Sequence, residues 1–143
     1  MKYEESAGVV IYCIDNEQTK FLLLKYPSYW GFSKGLIEEG ESEKETALRE
    51  LEEETGIPNV EIIPNFEFRQ NWFFKHQGNI IRKSAVYFLS KVENKFIDKI
   101  KLSPEHTDFK WLNFDNAIKK IEIKQNKEML KKAYDFLKEK GDN

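Results

Sequence analysis

Glu50, Glu53 and Glu54 lie within residues 35–57, GLIEEGESEKETALRELEEETGI, a segment unusually dense in glutamate. On a helix advancing about 100° per residue, with Glu50 at zero, Glu54 falls near ~40° and Glu53 near ~300°, so three carboxylates share an arc roughly 100° wide. Ala47, Leu48, Leu51 and Thr55 occupy the adjoining arc, which sets the trio beside the buried side of the helix. Glu45 and Glu52 point the other way and read as expendable solvated charges. Like charges at these spacings repel, each pair costing roughly a few tenths of a kcal/mol even when exposed. A hard divalent cation offsets that cost, because magnesium and manganese take oxygen ligands and bridge carboxylates to substrate phosphates. Arg49 could orient one carboxylate through a bidentate hydrogen bond. On geometry alone, a metal site and an ordinary acidic surface stand level.

The flanking sequence supplies the elements that must hold this helix. Ser42, with Glu45 three residues on, has capping-box spacing, the residues up to Glu54 are good helix formers, and Gly56 and Pro58 end the run. Upstream, apolar runs at 7–14 and 21–24 flank the turn residues 15–18 and predict a hairpin. An aromatic loop at 26–31, broken by Pro27 and Gly31, opens onto the acidic segment. Downstream, strands are predicted at 60–63, 67–74, 84–92 and 109–112, with a turn at 75–79, and two helices over 114–140. One internal helix among strands, closed by C-terminal helices, predicts a mixed sheet between helices, an α/β fold.

At 143 residues the chain is expected to be one domain. With 40% hydrophobic and 34% charged residues, and eleven Phe, six Tyr and three Trp, it carries the bulky apolar groups that disordered acidic chains lack. A formal charge of −2 gives no global attraction for nucleic acid or an anionic membrane, so a polyanion must be met locally. The absence of a long apolar stretch or a basic leader predicts a soluble, cytoplasmic protein. Cys13 is the only cysteine, which excludes an internal disulfide and a cysteine-based zinc site and leaves a packing role. The lysine-rich end KEMLKKAYDFLKEK reads as a solvated helical face.

The spacing G-x5-E-x7-R-E-L-x-E-E-x-G-I, carried by Gly35, Glu41, Arg49, Glu50, Leu51, Glu53, Glu54, Gly56 and Ile57, resembles the signature of the Nudix hydrolases. That resemblance implies an α/β/α sandwich with a mixed sheet and a loop-helix-loop, and hydrolysis of a nucleoside diphosphate linked to a further group. It implies magnesium, for which manganese can substitute, held by Glu50, Glu53 and Glu54 with the carbonyl at or beside Gly35. Arg49 would hold a glutamate in place and Glu41 would tie the loop to the helix, while Leu51 and Gly56 are structural. The family's base is a glutamate of the box or of a later loop. Glu53 is favoured here, and Glu105, just before the strand at 109–112, matches a further metal-binding or base position.

The flanking segments WGFSKG and SPEHTDFKWL are similar to those of the asymmetrical diadenosine tetraphosphate hydrolases, although Ser33 stands where that group usually has proline. By this resemblance Lys34, Lys83 and Tyr87 would contact the polyphosphate, the last two from one sheet face. His106 would orient Glu105 or touch phosphate, and Tyr29, Trp30 or Tyr134 could stack on adenine. His76 reads as an exposed turn residue. The expected partner is a small nucleotide, with an RNA 5′ end as the alternative within the family, no membrane, and a monomer as the default. A noncatalytic nucleotide sensor or a cation-binding acidic helix are the readings from other classes.

Overall fold

The computed structural model describes residues 2–141. Strand β1 (Lys2–Asp15) is the axis of the sheet. Val9, Ile11 and Cys13 bury toward one side and Val10 and Tyr12 toward the other, because both faces of the strand are covered. That double burial is what makes the segment read as an unbroken apolar run. The Cys13 thiol is buried, which pushes it up to about 11.

One edge of β1 carries β6 (Asn79–Lys91), parallel from Lys2 opposite Ile81 to Tyr12 opposite Lys91. Its other edge is shared: β2 (Gln18–Lys25) pairs antiparallel near Tyr12 to Asp15, and β4 (Ser33–Leu36) pairs antiparallel with Ser6 to Val9. β3 (Trp30–Gly31) and β7 (Asp108–Asn113) flank β2, and β5 (Phe68–His76) closes the sheet outside β6. Helix α1 (Glu43–Thr55) covers one face through Ala47 and Leu51. α2 (Phe114–Lys120) and α3 (Lys124–Glu139) cover the other through Ala117, Met129, Leu130, Ala133 and Leu137. The architecture is the mixed α/β sandwich that the sequence predicts.

Several boundaries differ for physical reasons. β1 begins at Lys2 rather than at residue 7, since its first residues are ordered by pairing with β6 and not by burial. The aromatic loop yields the short strands β3 and β4. Residues 60–63 form no strand beyond a single bridge, Ile62 to Ser90; Asn59 and Asn65 have positive φ on either side, and Pro58 and Pro64 lack the amide donors a ladder needs. The turn predicted at 75–79 contracts to two residues, Gln77 (φ 49°) and Gly78 (φ 79°), the paired positive φ of a type I′ hairpin. Among the described residues no helix is long and apolar enough to cross a membrane.

The capping box at α1 is complete: the Ser42 side chain accepts from the Glu45 amide at 3.1 Å, and Glu45 Oε1 accepts from the Ser42 amide at 2.9 Å. Glu45 is therefore not expendable, although Glu52 is solvent-exposed as expected. Gly56 ends the helix at φ 77°, donating to the Glu52 carbonyl at 2.8 Å. Leu51 is fully buried between α1 and the sheet. Leu51→Ala is expected to cost about 2–5 kcal/mol through lost burial and the cavity left behind, seen as a lower urea midpoint with an unchanged slope.

Candidate active site

Arg49 organises the segment before and around α1. Its Nε donates to Glu41 Oε2 at 2.6 Å and its Nη2 to Glu41 Oε1 at 3.0 Å and to the Leu36 carbonyl at 3.1 Å. Its Nη1 donates to Glu50 Oε1 at 2.9 Å and to both Glu53 oxygens at 3.2 and 3.3 Å. Glu41 also accepts from the Thr46 hydroxyl and the Glu38 amide. Hydrogen bonding from Arg49 first, with help from Thr46, holds the Glu41 carboxyl down at about 2. β4 then passes so close to α1 that a Cβ at Gly35 would overlap the Glu50 carboxylate and push it aside.

The segment after η1 (Asn94–Phe96, a 3-10 turn) hangs on the carbonyls left free at the end of α1. The Lys101 amide donates to the Thr55 carbonyl at 2.9 Å and the Ser103 amide to the Glu54 carbonyl at 3.3 Å. This docking carries Glu105 and His106 to Glu54, and one ligand atom from each of the three lies within 4.8 Å of the others. Both Glu54 oxygens and His106 Nε2 are buried with no hydrogen-bond partner among the described residues. Burial first, opposed by the nearby Ser33 hydroxyl and reinforced by the charges of Glu105 and Glu50, pushes the Glu54 carboxyl up to about 8, and burial raises Glu50 as well. A buried carboxylate without donors calls for a proton or a cation. Oxygen donors predominate, so the residues fit a hard divalent ion, with His106 offering one nitrogen.

Two adjoining spaces meet at this point. A charged cleft of about 580 Å³ is lined by Gly35, Arg49, Glu50, Glu105, Lys34 and Lys83, among others. An aromatic cavity of about 330 Å³ is walled by Tyr26, Tyr29, Phe32, Trp72 and Tyr87, with Gln70 and Asn126 at its polar side. Lys34 and Trp72 belong to both walls. Lys34 is mostly buried, and burial lowers its ammonium pKa against the opposing pull of Glu54.

Comparison with known proteins places this geometry. The NUDIX domain family model matches residues 5–133. The chain belongs to the Nudix family. It is 33% identical over 127 residues to the rat asymmetrical bis(5′-nucleosyl)-tetraphosphatase, covering 87% of this chain and 84% of that protein. The RNA pyrophosphohydrolase of Nitratiruptor is 31% identical over 121 residues, covering 80% and 77%. Among solved structures, a C. elegans Ap4A hydrolase binary complex superposes with a TM-score of 0.79 at 32% identity, covering 94% of this chain and 97% of that one. The protein is thus a Nudix hydrolase, with the α/β/α architecture that the sequence resemblance implies.

Within the Nudix frame, the structure sorts the residues singled out from sequence. Glu50, Glu54, Glu105, Gly35, Lys34 and Lys83 converge on the cleft or its floor, whereas Glu53 is more exposed and faces Arg49. Lys83 and Tyr87 do share a sheet face, but Tyr87 is buried in the wall of the aromatic cavity and Lys83 pairs with Glu4 at 3.5 Å in the cleft. Of the stacking candidates, Tyr29 lines the cavity. Trp30 and Tyr134 do not: Trp30 lies under Lys25 and Lys120, and Tyr134 stacks on Phe114 at 4.4 Å and meets the buried Phe21 edge-on at 6.3 Å. Both are drawn away by packing partners of their own.

Residues that sequence reasoning missed are Tyr26, Phe32, Trp72, Gln70 and Asn126. Tyr26 stacks on Tyr29 at 4.7 Å, meets the edge of His106 at 4.4 Å, and donates its hydroxyl to the Phe32 carbonyl at 2.6 Å. Gln70 donates to Asn126 at 2.8 Å and joins β5 to the start of α3. The alternation of Gln70 and Trp72 on β5 was the available signal.

Folding raises the Glu54 pKa from its ordinary value of 4.5 to about 8, so the folded state binds the proton more tightly and the contribution to stability is full below the unfolded value. It is lost as the pH rises through about 8. In EDTA, the stability difference between the wild type and Glu54→Gln is expected to move against the wild type from pH 5 to pH 8.5. Urea midpoints at the two pH values test this, and a constant difference refutes it.

Proposed function

We propose that this Nudix hydrolase cleaves diadenosine tetraphosphate asymmetrically into ATP and AMP, with magnesium at the box and manganese able to replace it. The observation that carries this reading is the junction of an aromatic cavity with a carboxylate-lined cleft, Lys34 and Trp72 forming the shared wall. A nucleobase fits among flat apolar side chains, and its polyphosphate is then led past Lys34 toward Glu50, Glu54 and Glu105. The asymmetrical tetraphosphatases matching across most of their own length support the same choice.

Glu50, Glu53, Glu54 and Glu105, with the Gly35 carbonyl, would hold the metal ions. When bound, these neutralise phosphate charge and lower the pKa of attacking water. The chain's own work is to orient the rest. Arg49 fixes the positions of Glu50 and Glu53, and Glu41 fixes Arg49. Lys34 brings a partly desolvated cation to the phosphates, and His106, with Nε2 3.9 Å from Glu105 Oε1, offers an uncommitted nitrogen beside that carboxylate. Glu53 takes the proton from the attacking water as the phosphoanhydride bond breaks.

An RNA 5′-end pyrophosphohydrolase is the second reading, favoured by the Nitratiruptor relative. Product analysis separates the two: ATP plus AMP from the dinucleotide supports the first, and no ATP from it alongside pyrophosphate from triphosphorylated RNA supports the second. EDTA is expected to abolish turnover and magnesium to restore it. Glu53→Gln is expected to lower kcat by about 10²–10⁴-fold with its melting curve retained. A larger loss in Glu105→Gln, with Glu53→Gln near wild type, would transfer the base role to Glu105.

A further inference from the structure

The charged cleft does not stop at Lys83. β5 pairs with β6 so that Trp72 lies opposite Lys83, Phe74 opposite Ile81 and His76 opposite Asn79, and these pairs share one sheet face. Lys2 and Glu4 of β1 are in register with Ile81 and Lys83 on the same face. Trp72, Phe74 and His76 therefore form a row about 13–14 Å long, starting in the wall of the cleft. Lys83 Nζ lies 4.9 Å from the centre of the Phe74 ring, and the Phe74 and His76 rings are 6.0 Å apart and only 15° from parallel. Beyond them, Lys2, His76, Asn79 and Ile81 line a further open depression of about 520 Å³.

We propose that this row is a stacking ledge for the second nucleoside of the dinucleotide, reached by the polyphosphate after it leaves the cleft past Lys83. Phe74, 44% exposed, and the exposed His76 have no covering element among the described residues, an unfavourable place for two flat rings unless something flat lies on them. The ledge is continuous with the cleft and bordered by two lysines, which suits an anionic linker ending in an aromatic base. The aromatic row is one side chain wide and is flanked by Lys2, Glu4, Asn79 and Lys83, unlike the broad apolar patch that marks a protein partner. Phe73 and Lys75 project to the opposite face and take no part. The assignment rests on the dinucleotide reading of the cleft and adds a reason for preferring a dinucleotide over a mononucleotide.

Equilibrium titration in magnesium, with methylene-bridged, non-hydrolysable analogues of diadenosine tetraphosphate and of adenosine 5′-tetraphosphate, tests the ledge independently of turnover. The wild type is expected to bind the dinucleotide analogue at least about fivefold more tightly, the lower end of what one stacked base contributes. The double variant Phe74→Ala/His76→Ala is expected to bind the two analogues equally, and Phe74→Trp/His76→Tyr to restore the preference. Phe73→Ala/Lys75→Ala on the other face of the same hairpin is expected to keep it, which separates loss of the ledge from loss of the hairpin. The ledge is refuted by equal binding in the wild type, by a preference that survives Phe74→Ala/His76→Ala, or by equal loss in the opposite-face variant. Failure of the catalytic reading shows separately, as no magnesium-dependent release of ATP from diadenosine tetraphosphate by the wild type.

Discussion

The guanidinium of Arg49 spans Glu41 with two nitrogens, reaches the Leu36 carbonyl with one of them, and uses the third on Glu50 and Glu53. A planar five-donor group can meet that many acceptors in fixed directions; a lysine ammonium, with one nitrogen, cannot. The loop-helix half of the site inherits its geometry from this contact. The loop between β4 and α1 is held to the helix, the first turn is closed by Ser42 and Glu45, and Gly35 is brought under Glu50. The hub is charge-assisted on all sides and partly shielded, so it remains ionised and directional.

The same few residues show how environment divides one chemical group into different tasks. Glu41, surrounded by donors, is held as a carboxylate far into acid, while Glu54, buried without donors beside Glu50 and Glu105, is driven the other way. The first is a fixed strut and the second an unmet demand for positive charge. Lys34 is treated in the mirror sense, its ammonium weakened by burial and retained by the neighbouring acids. Such opposed environments packed into one cleft are what a site for a highly charged ligand requires, since it must neither collapse on itself nor be satisfied before the ligand arrives.

What could be read in advance followed the range of the interactions. The helix, its capping box and the carboxylate arc depend on contacts within a few residues, and they were legible from spacing alone. The arc did not reveal that Arg49 also holds Glu53, because phase gives direction but not hydrogen-bond partners. The meeting of Glu54 with Glu105 and His106 depends on amides of residues 101 and 103 finding the end of α1, a link across some fifty positions with no periodic trace. Aromatic abundance hid the aromatic cavity in the same way: Tyr134 and Tyr26 look alike in sequence, and only the topology sends one to Phe114 and the other to His106. β4 escaped notice because its four residues form a strand only when β1 offers an open edge.

The two-residue turn at Gln77 and Gly78 sets more than the shape of a hairpin tip. Side chains alternate across a sheet with a period of two, so the parity of this loop decides which of two residue sets looks into the cleft. One inserted residue that slipped the register of β5 would present Phe73 and Lys75 in place of Trp72 and Phe74, exchanging an aromatic wall for a mixed one without altering any catalytic residue. Two inserted residues would lengthen the hairpin and leave the wall intact. The make-up of the cleft wall is thus tied to counting at a solvent-exposed turn, a place where length varies at little cost to the core.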